Sequence, residues 1–286
     1  YIQPAIDAAS PGDTIDVATG TYAGAIVNKE VAIVGAAGGG SIITSGVPYK
    51  VGQTLYTGFR LDADADGAEI RNFTMNGDYD NKFWFGVFAR NADSVIVDSL
   101  TLDNMVQGIT NWGGSGWEIT NNVITETYPT YGGGIAIYLG GDPSDFPHCD
   151  NNLVQYNTIS TSAEESGGFT GAAICLWFDE KESYEIPTTQ SMTGNEIKDN
   201  SITATGLENQ VGIEIGVGGL KDDTTKVAAC LGVIHDNTVE NNTIDNAEWG
   251  LYLYVTTDLT VSGNTITNCS DCGIYMKDDH VNCLIN

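Results

Sequence analysis

One carboxylate is set apart by its surroundings. Glu214 lies in "VGIEIGVGG" (211–219), between two isoleucines of a strand-like alternation and just before Gly216, Gly218 and Gly219. Strand interiors avoid glycine, which packs nothing and is entropically costly. Bare positions beside an acid therefore suggest room for a ligand next to a proton donor or acceptor. Cutting a glycosidic bond takes two carboxyl groups, about 5 Å apart for retention or about 6.5–9.5 Å apart for inversion. Asp179 of "LWFD" is the candidate partner, and Asp142, Glu180, Asp222 and Asp223 are further loop acids. The plain alternative for Glu214 is a solvated strand carboxylate.

Other chemistries are less well provided for. Elimination from a uronate needs a base beside a cation, and Tyr252 or Tyr254 would serve only near a bound calcium ion. The cations Arg90 and Lys277 stand too far apart in the chain to act together, and His148, His235 and His280 form no triad or zinc cluster. "DADADG" (Asp62, Asp64, Asp66, Gly67) matches the first half of a calcium loop, but position 12 is Phe73 and not a bidentate glutamate. That excludes an EF-hand and leaves a partial Ca2+ site or an acidic turn; no cofactor is required for hydrolysis. Of six cysteines, Cys269 and Cys272 form a C-x-x-C unaccompanied by a second one, a weak metal signal. One or two disulfides, or buried thiols, fit better.

These groups must be held by something regular, and the chain repeats. "ITNNVI" (119–124), "VQYNTI" (154–159), "IKDNSI" (197–202), "VENNTI" (239–244) and "VSGNTI" (261–266) align Asn122, Asn157, Asn200, Asn242 and Asn264. "IRNFTM" and "VDSLTL" fit the same frame with Phe73 and Leu100 in that column. The spacings of 22, 35, 43, 42 and 22 residues read as one unit carrying loop insertions. A second motif alternates with it, starting at Gly86, Gly108, Gly134, Ala173, Gly212, Gly250 and Gly273, with the period-2 alternation of a strand. Two short strands per turn cannot form a stable isolated sheet. Stacked at ~4.8 Å they bury a continuous core, and an aligned asparagine can satisfy buried backbone groups at every corner. The expected fold is all-β, a single right-handed parallel β-helix spanning 1–286.

The repeats resemble those of right-handed parallel β-helix proteins of the pectin-lyase-like superfamily. "YIQPAIDAASPGDTIDVATGTY" strengthens the resemblance, because it reads as a short amphipathic α-helix within 1–12 followed by first strands. In that superfamily such a helix caps the open first coil. The last coil, ending in "VNCLIN", reads as having a short or missing cap. The resemblance covers nearly the whole chain and is specific for fold. It implies action on polysaccharides without fixing it, since lyases, hydrolases, epimerases and adhesins share this architecture.

On this frame the second motif presents an outward row of Phe88, Thr110, Ala136, Cys175, Glu214, Tyr252 and Tyr275. A second row follows two residues on, with Arg90, Trp112, Tyr138, Trp177, Gly216, Tyr254 and Lys277. Aromatics at this density suit sugar rings, so Trp112, Tyr138, Trp177, Tyr252, Tyr254, Tyr275 and Arg90 are expected to bind a polymer; burial of the rings under loops is the alternative. Gly216 would leave a notch between Trp177 and Tyr254. Asp179 lies four residues beyond the Glu214 position, about 13 Å along a strand and one coil away. It reaches Glu214 only if the strand ends there.

The charge narrows the partners. With 38 acidic and 11 basic residues, net −27, the surface repels nucleic acid and anionic membranes, and a polyanionic polysaccharide too unless bound cations intervene; solubility in a salty or extracellular setting is the favoured reading of that charge. No apolar run has membrane-spanning length. The combined expectation is a secreted or cell-surface enzyme acting on a polysaccharide by hydrolysis, with Glu214 and a partner such as Asp179. A calcium-assisted lyase and a non-catalytic glycan-binding or assembling surface protein are the alternatives. Oligomeric state is not legible.

Overall fold

The computed structural model describes residues 1–127, 134–141, 148–161, 171–179, 191–205, 210–218 and 231–286. Its strands stack into three sheets of ten, nine and twelve strands, all parallel except for Val47–Pro48 against Tyr56–Leu61. Each coil visits the three sheets in turn, as in Ile96–Asp98, Thr101–Asp103 and Gln107–Trp112, then Glu118–Thr120, Val123–Thr125 and Ile135–Gly141. The expectation of two strands per coil therefore needs correcting to three. The repeated hexamer joins the ends of two three-residue strands through a two-residue corner, as in Glu118–Thr120 and Val123–Thr125 about residues 121 and 122. The residue before each aligned asparagine is left-handed: Asn121 at φ 56°, Tyr156 at 59°, Asp199 at 55° and Asn241 at 55°. A single left-handed residue turns the chain yet keeps the next apolar side chain pointing inward, so the bend leaves the sequence alternation intact.

Inward residues stack like on like. Ile70, Val97, Ile119, Val154, Ile197 and Val239 line the first sheet, and Leu102, Ile124, Ile159, Ile202 and Ile244 the second, all buried. The third contributes Val87, Ile109, Ile137, Ile174, Ile213 and Leu251. The N-terminal helix, Ile2–Ala8, covers the first coil as expected, burying Ile2 and Ile6 in the core. Gln3 works as a stand-in strand. Its Oε1 accepts from the Ile26 N–H at 2.7 Å and its Nε2 donates to the Ile26 carbonyl at 3.2 Å, which closes an otherwise open sheet edge.

The asparagine column forms a continuous ladder. Asn122 donates from its backbone N–H (3.0 Å) and its Nδ2 (2.9 Å) to Asn157 Oδ1. Asn157 repeats both bonds to Asn200, Asn200 to Asn242, and Asn242 to Asn264. At its upper end the Leu100 N–H donates to Asn122 Oδ1 at 2.9 Å. A second ladder, unanticipated from the sequence, runs five residues earlier through Asn152, Asn195 and Asn237. Its signal was present in "DNNLVQ", "GNEIK" and "DNTVE", but Trp117 begins the column, with its N–H on Asn152 Oδ1 at 2.9 Å.

Outside the corner, Asp98 gathers donors from the next coil. Thr120 Oγ1 and Asn121 Nδ2 each lie 2.7 Å from its carboxylate and Ser99 Oγ 2.9 Å, with Arg71 at 3.5 Å. Burial raises its pKa, but these hydrogen bonds and the guanidinium outweigh burial and hold it below the ordinary carboxylate value. A group with a depressed folded pKa stabilises fully above its unfolded value, and that contribution fades as pH falls through the folded one. Asp98→Asn is therefore expected to flatten the acid limb of the stability profile below about pH 4, where carboxylates titrate when unfolded. Urea midpoints measured across that range would check it.

Candidate active site

The third sheet's long strands carry the outward positions, and their register fixes which residues meet. Cys175 pairs with Glu214, Glu214 with Tyr252, and Tyr252 with Tyr275. On the other side Cys175 pairs with Tyr138, and Tyr138 with Thr110. Tyr138 thus stands in the Glu214 row, correcting its expected place beside Trp112 and Trp177, where Gly140 sits instead. Gly108 lies opposite Ala136 and not Gly134; a Cβ on Gly108 would fall 2.6 Å from the Ala136 carbonyl and 3.3 Å from Ile124. The column demands a small residue, and alanine fills it. A shift of two preserves facing while moving each side chain roughly 7 Å along the strand.

Glu214 is 7 % exposed, with the Cys175 thiol donating to its Oε2 at 3.7 Å. It borders a hydrophobic cluster separate from the main core, built from Ile135, Tyr138, Ala172, Cys175 and Val211, with Trp112, Trp177, Trp249 and Tyr252 against it. Trp112, Trp177 and Tyr252 are half-buried, and Tyr275 is exposed. Tyr138 and Tyr254, each 7 % exposed, offer no free ring face. Tyr138 instead donates its hydroxyl to the Trp177 carbonyl at 3.0 Å. Trp249, missed in the sequence because it opens its strand, packs against Tyr252 at 5.8 Å and Tyr275 at 6.4 Å and donates Nε1 to Asp271 at 2.8 Å.

The notch at Gly216 is closed. The Trp177 and Tyr254 rings stack 6.2 Å apart, and a Cβ on Gly216 would meet Trp177 Cζ3 at 2.6 Å and Tyr254 Cβ at 2.8 Å. Glycine here makes room for protein rings and not for a sugar. Gly216→Ala is expected to cost about 1–3 kcal/mol by overpacking and to perturb tryptophan fluorescence, both read in one thermal melt.

Asp179 does not join Glu214 through its backbone. The strand Gly171–Asp179 runs through it, and Asp179 pairs with Gly218, four residues beyond Glu214. The two Cα atoms are then about 14 Å apart from coil and strand spacing. The described register neighbours of Glu214 carry no carboxylate, and Asp142, Glu180, Asp222 and Asp223 lie outside the described residues. Arg90 stacks on Trp112 at 4.6 Å, and Lys277 lies 5.1 Å from the Tyr254 ring, far along the solenoid.

The calcium candidates do not converge. Asp62 holds Arg60 through both oxygens, at 2.9 and 3.1 Å. Asp66 starts a corner ladder in which it accepts the Asp93 N–H, Asp93 the Ser115 N–H, and Asp150 the Thr193 N–H. Among the described residues no group of three or more His, Cys, Asp or Glu side chains is arranged to hold a metal. The histidines serve hydrogen bonds, with His148 Nδ1 2.8 Å from Ser191 Oγ, His235 Nδ1 3.2 Å from Thr193 Oγ1 and His280 Nδ1 3.0 Å from Thr256 Oγ1. His280 belongs to the strand Cys272–Val281. The five described cysteines are free; Cys230 lies outside the described residues. Burial raises the thiol pKa of Cys269 and of Cys272, the opposite of a reactive C-x-x-C.

Residues 108–286, more than half of the chain, match the family described as "Right handed beta helix region". The chain belongs to the right-handed β-helix family. It is a right-handed parallel β-helix in which the outward rows of the third sheet form the candidate site. Among solved structures it is similar to an alginate lyase from Paenibacillus sp. str. FPU-7, at 18 % identity and TM-score 0.55, over 98 % of this chain and 95 % of that one. It is also similar to a family 28 exopolygalacturonase from Yersinia enterocolitica, at 12 % identity and TM-score 0.49, over 99 % and 74 %. At these identities the likeness concerns the fold. No curated protein matches by sequence, and no described helix of this β-helix protein is long and apolar enough to cross a membrane.

Proposed function

We propose that this β-helix protein acts on a polysaccharide laid along the outward face of the third sheet, that Glu214 transfers the proton, and that the reaction is hydrolysis. One observation carries the reading: Glu214 is a 7 % exposed carboxylate set into a row of aromatic side chains on the solenoid's outer face. A carboxyl group so placed is the kind of proton donor or acceptor that cleavage of a glycosidic bond needs. Trp112, Trp177, Tyr252 and Tyr275 are the rings with surface left to meet a sugar. The surplus of acid over base on the chain suits a neutral glycan outside the cell or at its surface. The second carboxyl is assigned to the loops that follow the strands, where Glu180, Asp222 and Asp223 stand in sequence. Calcium has no part in this reading.

Reducing-sugar release from a panel of neutral glycans tests it, with Glu214→Gln beside the wild type. Undiminished release by the variant sinks the reading. A second reading has its own support, because Tyr252 flanks Glu214 in the register while no described carboxylate does. It would make Tyr252 the base of an elimination, revealed by an ultraviolet-absorbing unsaturated product that Tyr252→Phe abolishes. Binding without any release from either class of glycan would favour a non-catalytic glycan-binding protein.

A further inference from the structure

A second place on the outward face can hold a ligand, and nothing in the reaction at Glu214 uses it. Beyond Trp112, toward the first coils, a cavity of about 160 Å³ is walled by the rings of Tyr49, Trp84, Phe85, Phe88 and Trp112, with Leu55, Val106 and Gln107 completing it. Its aromatics form a packed cluster outside the main core: Phe88 meets Phe85 edge-on at 5.2 Å, Trp112 at 5.3 Å and Tyr49 at 5.0 Å. Rings that already contact one another edge-to-face define a rigid pocket, so a ligand would meet preformed walls.

Three features choose the occupant. The volume is near the roughly 150 Å³ at which an apolar cavity takes up benzene. Five of the eight lining residues present rings and two more, Leu55 and Val106, are aliphatic, which rewards another ring offset or edge-on to the aromatic walls. Cages of this kind also bind cations, but here the cation place is taken. The Arg90 guanidinium lies 4.6 Å from the Trp112 ring, 5.6 Å from Phe88 and 6.0 Å from Tyr49, three of the walls. A second positive charge would be repelled and would find the rings' negative faces already engaged. We propose that this cavity is a binding site for one uncharged, benzene-sized aromatic ring. The site rests on the cavity and not on the reaction proposed for Glu214. Because Trp112 belongs both to its wall and to the outward row, an aromatic substituent on a glycan is the ligand that would engage both.

The test uses the full chain and free small molecules. Benzene and phenol are titrated against the protein by tryptophan fluorescence, with tetramethylammonium as the cationic control. Saturable binding of both aromatics and none of the cation is expected. Val106→Phe places a phenyl ring in the space and is expected to abolish the binding while leaving Glu214 untouched. Crystals of the wild type soaked with iodobenzene give a readout independent of that variant's folding, with one iodine peak expected inside the cavity lined by Tyr49, Leu55, Trp84 and Trp112. Absence of saturable binding by the wild type, a folded Val106→Phe protein that binds equally well, preference for the cation, or an iodine peak elsewhere would each overturn the proposal. Its failure leaves sugar release by Glu214 intact, and loss of sugar release leaves ring binding intact.

Discussion

Asn200→Ala is expected to destabilise the protein by about 3–6 kcal/mol, the sum of several buried groups left without partners at roughly 1–3 kcal/mol each. Asn200 Oδ1 accepts from both the N–H and the Nδ2 of Asn157, each at 3.0 Å. Its own Nδ2 donates to Asn242 Oδ1 at 2.9 Å, the Val154 carbonyl at 2.9 Å and the Lys198 carbonyl at 3.0 Å. Alanine leaves the Asn157 N–H without its acceptor and the Val154 and Lys198 carbonyls without this donor, while Asn157 Nδ2 keeps the Ile119 carbonyl and Asn242 Oδ1 keeps the backbone N–H of residue 200. Asn264, at the half-buried end of the same column, should cost clearly less when changed in the same way. Urea denaturation of the two variants side by side checks the gradient, and equal losses would mean that the ladder is not what carries the cost. In a solenoid each coil is stabilised through its neighbours, so the melt of Asn200→Ala is also expected to broaden.

Glu214→Gln is expected to lower turnover of the responsive glycan by roughly 10²–10⁴-fold, the range for loss of a general acid or base. Glutamine keeps the shape and can still accept from the Cys175 thiol, so folding should be little changed. The fall should lie in kcat, with glycan binding retained, because the platform rings are untouched. Cys175→Ala, which removes the thiol but leaves the carboxylate, is expected to retain most of the turnover. A loss as large as that of Glu214→Gln would show that the effect at Glu214 is one of packing and not of proton transfer.

Much of the scaffold was legible in the repeats. Asn122, Asn157, Asn200, Asn242 and Asn264 gave the coil, and the amphipathic start gave the helix that buries Ile2 and Ile6. The number of faces was not legible, because a single left-handed residue such as Asn121 or Asp199 bends the chain without disturbing the alternation. The second ladder, Asn152, Asn195 and Asn237, was written in the same frame but obscured by the bulky Trp117 at its start.

For the candidate site the boundary falls elsewhere. Sequence alone established that Glu214 faces outward in a file with Cys175, Tyr252 and Tyr275, because strand alternation decides facing and glycine columns decide alignment. It went astray at Tyr138, where Ala136 and not Gly134 fills the small-residue column and the strand moves by two. Only the tertiary structure decided that Tyr254 and Trp177 close over Gly216, that Tyr138 is tied down, and that Asp62 and Asp66 are spent on Arg60 and on the backbone of the next coil. The physical reason is one of range. Facing and periodicity are set by a residue and its chain neighbours, whereas the space above Gly216 is set by Trp177 and Tyr254, one coil away on either side and 39 and 38 residues distant in sequence.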